Sequence, residues 1–147
     1  MKRRVIIVHG WCGSPKRDWI GWAAEALRAR GYEVVAPEMP DADAPAIRKW
    51  VERLESVVGA ADGNTYFIGH SIACQAIMRL VERLGARVGG VIFVAGWFVL
   101  TNQSEEEMEI ARPWIETPID YAKVRANLTR SVAVLSDTDP YVPYEET

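Results

Sequence analysis

The chain has 147 residues, a length that suits one domain with a hydrophobic core and is too short for two. Hydrophobic residues make up 49% and charged residues 25% of the sequence, proportions typical of a soluble globular protein. The net charge of −3 argues against a basic surface, so we expect neither nucleic acid nor membrane as a partner. Two cysteines are too few for a disulfide framework, which predicts a reducing, cytoplasmic location.

An apolar β-branched run at residues 5–8 predicts a first strand that is buried on both faces of a parallel sheet. The run is too short for a signal peptide, and no stretch of the sequence is long enough to span a bilayer. A glycine-punctuated loop follows at residues 9–15. Asp18 then begins a predicted amphipathic helix that ends before Gly31 and places Trp22 on its buried face.

Strands and helices alternate along the rest of the chain. The second helix is predicted to begin at an Asp43 cap and to stop at Gly59, and the third to continue to Gly85. Apolar, β-branched segments predict four further strands, at residues 33–37, 65–70, 90–96 and 131–136. This alternation predicts an α/β fold, a three-layer αβα sandwich with a mostly parallel sheet. In such sheets ligands bind at the carboxyl ends of the strands.

The stretch around Ser71 has the sequence form of a nucleophile elbow, a strained turn between a strand and a helix. Gly69 and Ala73, two places either side of the serine, are small enough for the strand and helix to pass closely. The amide of Ile72 at the helix start is the predicted oxyanion donor. The alternative is that Ser71 only caps the helix.

Two further loops hold candidate partners for this serine. The second oxyanion donor is expected in the loop after the first strand, where the amide of Trp11 follows Gly10. The acid of a catalytic triad is expected after a later strand, and Asp139 is preferred because Pro140 constrains its turn. Asp137 is the reserve candidate, and simple turn closure is the alternative role for either aspartate.

A long connection at residues 97–130 is predicted to form a small helical excursion over the site. Ser104 followed by three glutamates predicts a helix N-terminus, and Pro113 is predicted to break that helix before a short one that ends near Asn127. Aromatic side chains in this segment are candidates for a substrate pocket: Trp97, Phe98 and Trp114. Packing onto the sheet is the alternative, and it is favoured for Tyr121.

Taken together, residues 8–13, 69–74 and 139–143 resemble small single-domain serine hydrolases of the α/β-hydrolase superfamily, specifically the group that includes retinoblastoma-binding protein nine. The resemblance covers essentially the whole chain. It implies strand order 2-1-3-4-5 and an esterase-like or amidase-like activity without metal or organic cofactor. It also implies that Ser71 is the nucleophile and Asp139 the triad acid.

The sequence departs from this group in the position of the catalytic base. In the group it is a histidine after a sixth strand, but the two histidines here are His9 and His70. We expect His70 to pack or hydrogen-bond away from the elbow and His9 to order its loop. Three readings follow: a C-terminally incomplete, truncated hydrolase without its final strand and helix, a decayed homologue that binds without turnover, or an enzyme that uses His9 or a neighbouring copy's histidine.

The expected function is a serine hydrolase that cleaves small ester substrates through an acyl-enzyme on Ser71, with a catalytically impaired binding protein as the alternative. Cys12 is expected to be exposed beside the site and Cys74 to pack in a helix, without metal ligation. The fifth strand is expected to leave Val132, Val134 and Leu135 exposed at a sheet edge, which favours a homodimer.

Overall fold

A computed structural model of the chain describes residues 2–146 and contains one five-stranded sheet. The strands are β1 (Arg4–Val8), β2 (Glu33–Val35), β3 (Thr65–His70), β4 (Gly90–Val94) and β5 (Ser131–Val134). All neighbouring strands are parallel and their order is β2-β1-β3-β4-β5, which confirms the predicted topology. Val8 pairs with Gly69, and His70 with Val94. The carboxyl ends of the three central strands therefore lie side by side.

Five α-helices cover the sheet in the described chain, and a 3₁₀ turn lies at Tyr144–Glu146. They are α1 (Ile20–Ala29), α2 (Ile47–Val58), α3 (Ala73–Val81), α4 (Glu105–Glu116) and α5 (Tyr121–Asn127). Helices α2 to α5 pack on one side of the sheet and α1 on the other, which gives the three layers that the alternating pattern predicts.

The larger core lies between the sheet and helices α2 and α3. Leu54 of α2 and Ile77 and Leu80 of α3 are fully buried there against Phe67 of β3. Their spacing of three or four residues places them on one face of each helix. This packing holds the amino end of α3 directly behind the end of β3.

Helix α1 packs more lightly, and its buried face differs from the prediction. Ile20, Ala23 and Ala24 are buried against the sheet, whereas Trp22 is 72% exposed. Asp18 has a positive φ of 55°, so the helix begins later than predicted, at Ile20. Trp22 is then two residues, about 200°, around the helix from Ile20 and faces away from the sheet.

Helix α2 begins after Ala46 and not at the predicted Asp43 cap. Asp43 lies in the preceding loop, where its carbonyl accepts a hydrogen bond from Nε1 of Trp11 at 2.8 Å. Helix α3 ends at Val81 and stops short of Gly85, because Nδ2 of the Asn127 side chain donates hydrogen bonds to the carbonyls of Val81 and Leu84. Tertiary contacts therefore set both boundaries.

The connection between β4 and β5 contains α4 and α5. Ser104 and Glu107 form the predicted N-terminus as a reciprocal capping box. Pro113 does not break α4 as predicted, because the helix continues through it to Glu116. Proline costs a backbone hydrogen bond there, but the neighbouring Ala111 and Trp114 are buried and hold the helix in place.

Candidate active site

Ser71 lies at the turn that joins β3 to α3, in a left-handed backbone conformation with φ of +56°. This conformation is unfavourable for a non-glycine residue, and the fold maintains it through a hydrogen bond from the Ser71 amide to the Val94 carbonyl at 2.8 Å. A Cβ atom on Gly69 would lie 2.7 Å from Cδ1 of Ile77. The turn therefore has the geometry of a nucleophile elbow and favours glycine at position 69, where a Cβ would also lie 3.1 Å from the backbone nitrogen of Cys74.

A cavity of about 390 Å³ opens at Ser71, at the carboxyl ends of the central strands. Its wall combines residues from the loops after β1, β3, β4 and β5 with the start of α4. The lining residues are Gly10, Trp11, Cys12, His70, Ser71, Ala95, Trp97, Leu100, Gln103, Glu107, Asp139, Tyr141 and Val142. Five of the predicted site residues thus meet Ser71 at one opening: Trp11, Cys12, His70, Trp97 and Asp139.

The two amides predicted to bind an oxyanion lie on either side of the serine. Ile72 follows it in the chain, and the loop of Trp11 approaches closely, because a Cβ on Gly10 would lie 3.2 Å from that of Ser71. Within the described chain, the backbone amides of Trp11 and Ile72 make no hydrogen bond. Both donors are therefore free to receive a substrate oxygen.

Asp139 lies at the cavity and is fixed by its own turn. Its Oδ1 accepts hydrogen bonds from the amides of Tyr141 at 2.8 Å and Val142 at 3.1 Å. These bonds hold the carboxylate in one orientation beside the opening. Asp137 is exposed and does not line the cavity, so the geometry agrees with the preference for Asp139.

His9 is 1% exposed, and both of its ring nitrogens have backbone partners. Nε2 accepts a hydrogen bond from the amide of Met39 at 3.1 Å, so the ring proton lies on Nδ1, which donates to the carbonyl of Gly10 at 2.8 Å. The ring also packs edge-on against Trp50. His9 therefore orders the loop of Trp11 and has no free nitrogen to act as a base.

His70 packs edge-on against Trp19, but the expectation that it turns away from the elbow is wrong, because its ring lines the cavity beside Ser71. Partial burial lowers the pKa of His70 below the usual 6.5, and the charges of Asp18 and Asp139 oppose this effect. The imidazole is consequently neutral at pH 7. No hydrogen bond joins it to Ser71 within residues 2–146.

Trp97 occupies the cavity wall, in agreement with the prediction. Its side chain is almost fully buried, and its Nε1 donates a hydrogen bond to Oγ of Ser71 at 3.2 Å. The residue lies three positions beyond Val94, the last residue of β4, on the carboxyl side of the sheet.

The other two predicted pocket aromatics lie elsewhere. Trp114 is buried between α4 and α2, where it packs against Trp50 and donates from Nε1 to the carbonyl of Pro45 at 2.9 Å. Phe98 lines a separate cavity and packs edge-on against Tyr121. The direction of each aromatic side chain depends on the path of the connection, which aromatic content alone does not define.

Several lining residues were not foreseen as pocket residues. Glu107 was recognised only as part of a helix N-terminus, and Tyr141 only within the motif around Asp139. Leu100 and Gln103 carry no sequence signal for a pocket, because they reach the cavity through the turn between Trp97 and α4.

The two cysteines differ as expected. Cys12 is exposed at the cavity, whereas Cys74 is buried in α3 and its thiol donates to the carbonyl of Gly69. Burial raises the pKa of Cys74 to about 12, so this thiol is protonated at neutral pH.

Among residues 2–146, no three His, Cys, Asp or Glu side chains are grouped to hold a metal ion. In the same range no helix has the length and apolarity needed to cross a bilayer.

The sequence profile of the serine hydrolase family matches residues 5–147. The chain is 27% identical over 146 residues to YdeN of Bacillus subtilis (strain 168), a match that covers 98% of this chain and 75% of that protein. It is 29% identical over 146 residues to the serine hydrolase RBBP9 of Rattus norvegicus, covering 97% of this chain and 75% of that one.

Solved structures agree with these relationships. The crystal structure of the ydeN gene product from B. subtilis superposes with a TM-score of 0.88 at 26% identity, over 99% of this chain and 77% of that one. Est1E from Butyrivibrio proteoclasticus, solved with ferulic acid, superposes with a TM-score of 0.70 at 18% identity, over 97% of this chain and 72% of that one. At 18% identity the likeness concerns the fold alone.

Proposed function

The chain belongs to the serine hydrolase family, and from this premise we propose that it cleaves small ester substrates through an acyl-enzyme on Ser71. The observation that carries the proposal is the strained conformation of Ser71 at the mouth of the cavity. A left-handed serine between a strand and a helix exposes its hydroxyl to a ligand, and the fold bears the cost of this strain.

In the proposed reaction Oγ of Ser71 attacks the ester carbonyl carbon and loses its proton to a base. The carbonyl oxygen becomes an oxyanion, which the amides of Trp11 and Ile72 stabilise. The ester C–O bond then breaks, and the alcohol leaves with a proton. Water attacks the acyl group on Ser71 and releases the carboxylic acid. Asp139 is assigned the role of triad acid, which in this family orients a histidine base; within the described residues neither His9 nor His70 makes the hydrogen bond to Ser71 that such a base requires.

Two features of the cavity favour a small, uncharged substrate. Its volume of about 390 Å³ is at the lower end of the range for ligand pockets. Glu107 and Asp139 contribute carboxylates to the wall, and among the described residues no lysine or arginine lines it. A substrate with a carboxylate on its acyl group would meet repulsion from both. Trp11, Trp97 and Leu100 offer apolar surface to a neutral acyl chain.

A second candidate function is a hydrolase-fold protein that binds small molecules with little turnover. The histidines favour it, because His9 has both nitrogens occupied and His70 makes no hydrogen bond to Ser71 within the described chain. Loss of a triad member typically costs several orders of magnitude in rate, although the oxyanion hole retains part of the catalysis.

Reaction with a fluorophosphonate probe, followed by intact mass measurement, tests the proposal. The proposed enzyme acquires one stoichiometric adduct, which the Ser71→Ala variant loses and a control variant at an exposed serine, Ser136→Ala, retains. Release of p-nitrophenol from p-nitrophenyl butyrate then separates turnover from a single acylation. Absence of an adduct in the unmodified protein would favour the binding protein.

A further inference from the structure

The hydrogen bond between Trp97 and Ser71 has only one possible direction. An indole N–H is a donor without acceptor capacity, so Oγ of Ser71 accepts the bond at 3.2 Å. The hydroxyl proton of Ser71 must then point away from the indole. The contact therefore selects both the rotamer of the serine and the direction in which its proton can leave.

The backbone of Trp97 is held by a buried polar chain from α3. Nε2 of Gln75 donates to the Trp97 carbonyl at 2.9 Å, and Oε1 of Gln75 accepts from Arg79 at 3.3 Å. Gln75 is 1% and Arg79 2% exposed. The indole thus has a fixed position relative to the helix that begins just behind Ser71.

Arg79 extends this chain to the connection after Trp97. Its guanidinium donates to the carbonyls of Trp114 at 3.2 Å, Thr117 at 2.7 Å and Pro118 at 3.2 Å. One buried cation therefore ties the end of α4 to α3, and Gln75 links it to Trp97. The hydrogen bonds of the two Nη atoms restrict this region, whereas Nε of Arg79 is buried without a partner among the described residues.

We propose that Trp97 is a positioning residue for the nucleophile, an inference that rests on the proposed function of Ser71. Its indole N–H holds Oγ in one rotamer and directs the hydroxyl proton away from itself. As the proton leaves, negative charge grows on Oγ and the bond becomes charge-assisted, so it strengthens in the transition state. Trp97 consequently promotes attack by Ser71 more than it promotes binding of the substrate.

The sharpest variant removes only the donor. Benzothienylalanine, incorporated at position 97, has nearly the shape of tryptophan but carries sulfur in place of the indole N–H. The variant Trp97→Phe removes the donor together with part of the ring. The same unnatural residue at the exposed Trp22 controls for the substitution itself. The measured quantities are the limiting rate of fluorophosphonate labelling and the probe concentration that gives half of that rate, with the melting temperature of each variant.

We expect benzothienylalanine at position 97 to label about 10- to 100-fold more slowly, which is the effect of losing a hydrogen bond to a charged group. This loss should fall on the limiting rate and leave the half-saturating probe concentration unchanged, because the donor acts on the charge that grows on Oγ. The melting temperature and the labelling of the Trp22 control should stay unchanged. A merely structural role for Trp97 would alter the melting temperature and the half-saturating probe concentration.

The outcomes separate the two proposals. An unmodified protein that labels at Ser71, with an equal limiting rate for the position-97 variants, would overturn the role of Trp97 and leave the proposed function standing. An unmodified protein that does not label at Ser71 would overturn the proposed function and, with it, the role of Trp97. A lower limiting rate with an unchanged half-saturating probe concentration supports both.

Discussion

The two faces of the sheet differ in how much of their apolar surface is covered. On the four-helix face, packed by α2, α3, α4 and α5, residues such as Ile77 and Phe67 are almost completely buried. On the α1 face, a single helix covers β1 and its neighbours, and the side chains of Ile92 and Val132 are 38% and 55% exposed. Strands β1, β3 and β4 thus contribute a dense core to one side and leave apolar surface such as Ile92 open on the other, whereas β5 is exposed on both faces.

This difference follows from where the helices lie and not from the composition of the strands. Ile68, Ile92 and Val132 are paired across β3, β4 and β5, and all three are β-branched apolar residues that suit a covered sheet. Helix α1 reaches Ile68, which is partly buried, but not β5. The candidate active site lies over the well-covered half, because the strained turn at Ser71 needs a rigid helix behind it.

The largest expected effect is a difference in stability between an alanine substitution on the four-helix face and one on the α1 face. Ile77→Ala should lower the free energy of unfolding by about 2–5 kcal/mol, because it leaves a cavity in a closed core. Ile92→Ala removes the same atoms from a partly exposed site and should cost less than about 1 kcal/mol. Urea denaturation of both variants measures the difference. Equal losses would mean that the α1 face is covered in solution.

The next-largest expected effect concerns the association of two copies of the chain. We propose that two copies associate through the edge of β5, where Val132 and Val134 lie on one face and β4 is the only neighbouring strand in the described sheet. Val132→Lys should weaken this association at least about tenfold, because like charges would face each other. Trp22→Lys, an equally drastic change on exposed α1, is the matched control.

Sedimentation velocity over a range of concentrations tests the association. The unmodified protein should sediment above the 16.5 kDa of one chain, and Val132→Lys should approach that value. A single-chain mass for the unmodified protein at the highest concentration would contradict the proposed dimer.

The smallest effect concerns His70, which borders the α1 face through its contact with Trp19. Burial keeps its pKa in the folded protein below the usual 6.5, although Asp18 and Asp139 act in the opposite direction and His9 adds to the lowering. Below about pH 6.5 the unfolded chain therefore binds a proton that the folded protein does not. Stability should fall as the pH decreases from 6.5, and this loss should be absent above it.

The variant His70→Gln isolates this contribution. Its free energy of unfolding, measured by urea denaturation between pH 5 and 8, should depend less on pH than that of the unmodified protein. An identical dependence in both proteins would assign the acid sensitivity to other groups.

Much of the fold was accessible from local patterns. Apolar β-branched runs mark all five strands, and the residues between them carry helical periodicity, which is sufficient for an α/β sandwich. The helix boundaries were less accessible. Asp43, Pro113 and Gly85 all suggested ends that the structure does not have, because hydrogen bonds and burial from distant segments outweigh local preferences of this size.

The candidate site was partly accessible for a similar reason. Ser71, Trp11 and Asp139 each lie within five residues after the end of a strand, and parallel topology brings the ends of neighbouring strands together. Phe98 and Trp114 belong to the long connection between β4 and β5, and no comparable topological rule predicts the path of such a connection. The same applies to Trp22, which is apolar but lies opposite the buried stripe of α1.

The sequence by itself determined the strands, the parallel α/β class and the place of the strained serine, because these depend on short-range periodicity and on small residues at fixed spacing. Only the tertiary structure decided which aromatic side chain reaches Ser71 and that Gln75 and Arg79 support it. It also decided which face of the sheet stays open. These features depend on contacts between segments far apart in the chain, such as Ser71 and Trp97, which are 26 positions apart, and no local pattern encodes them.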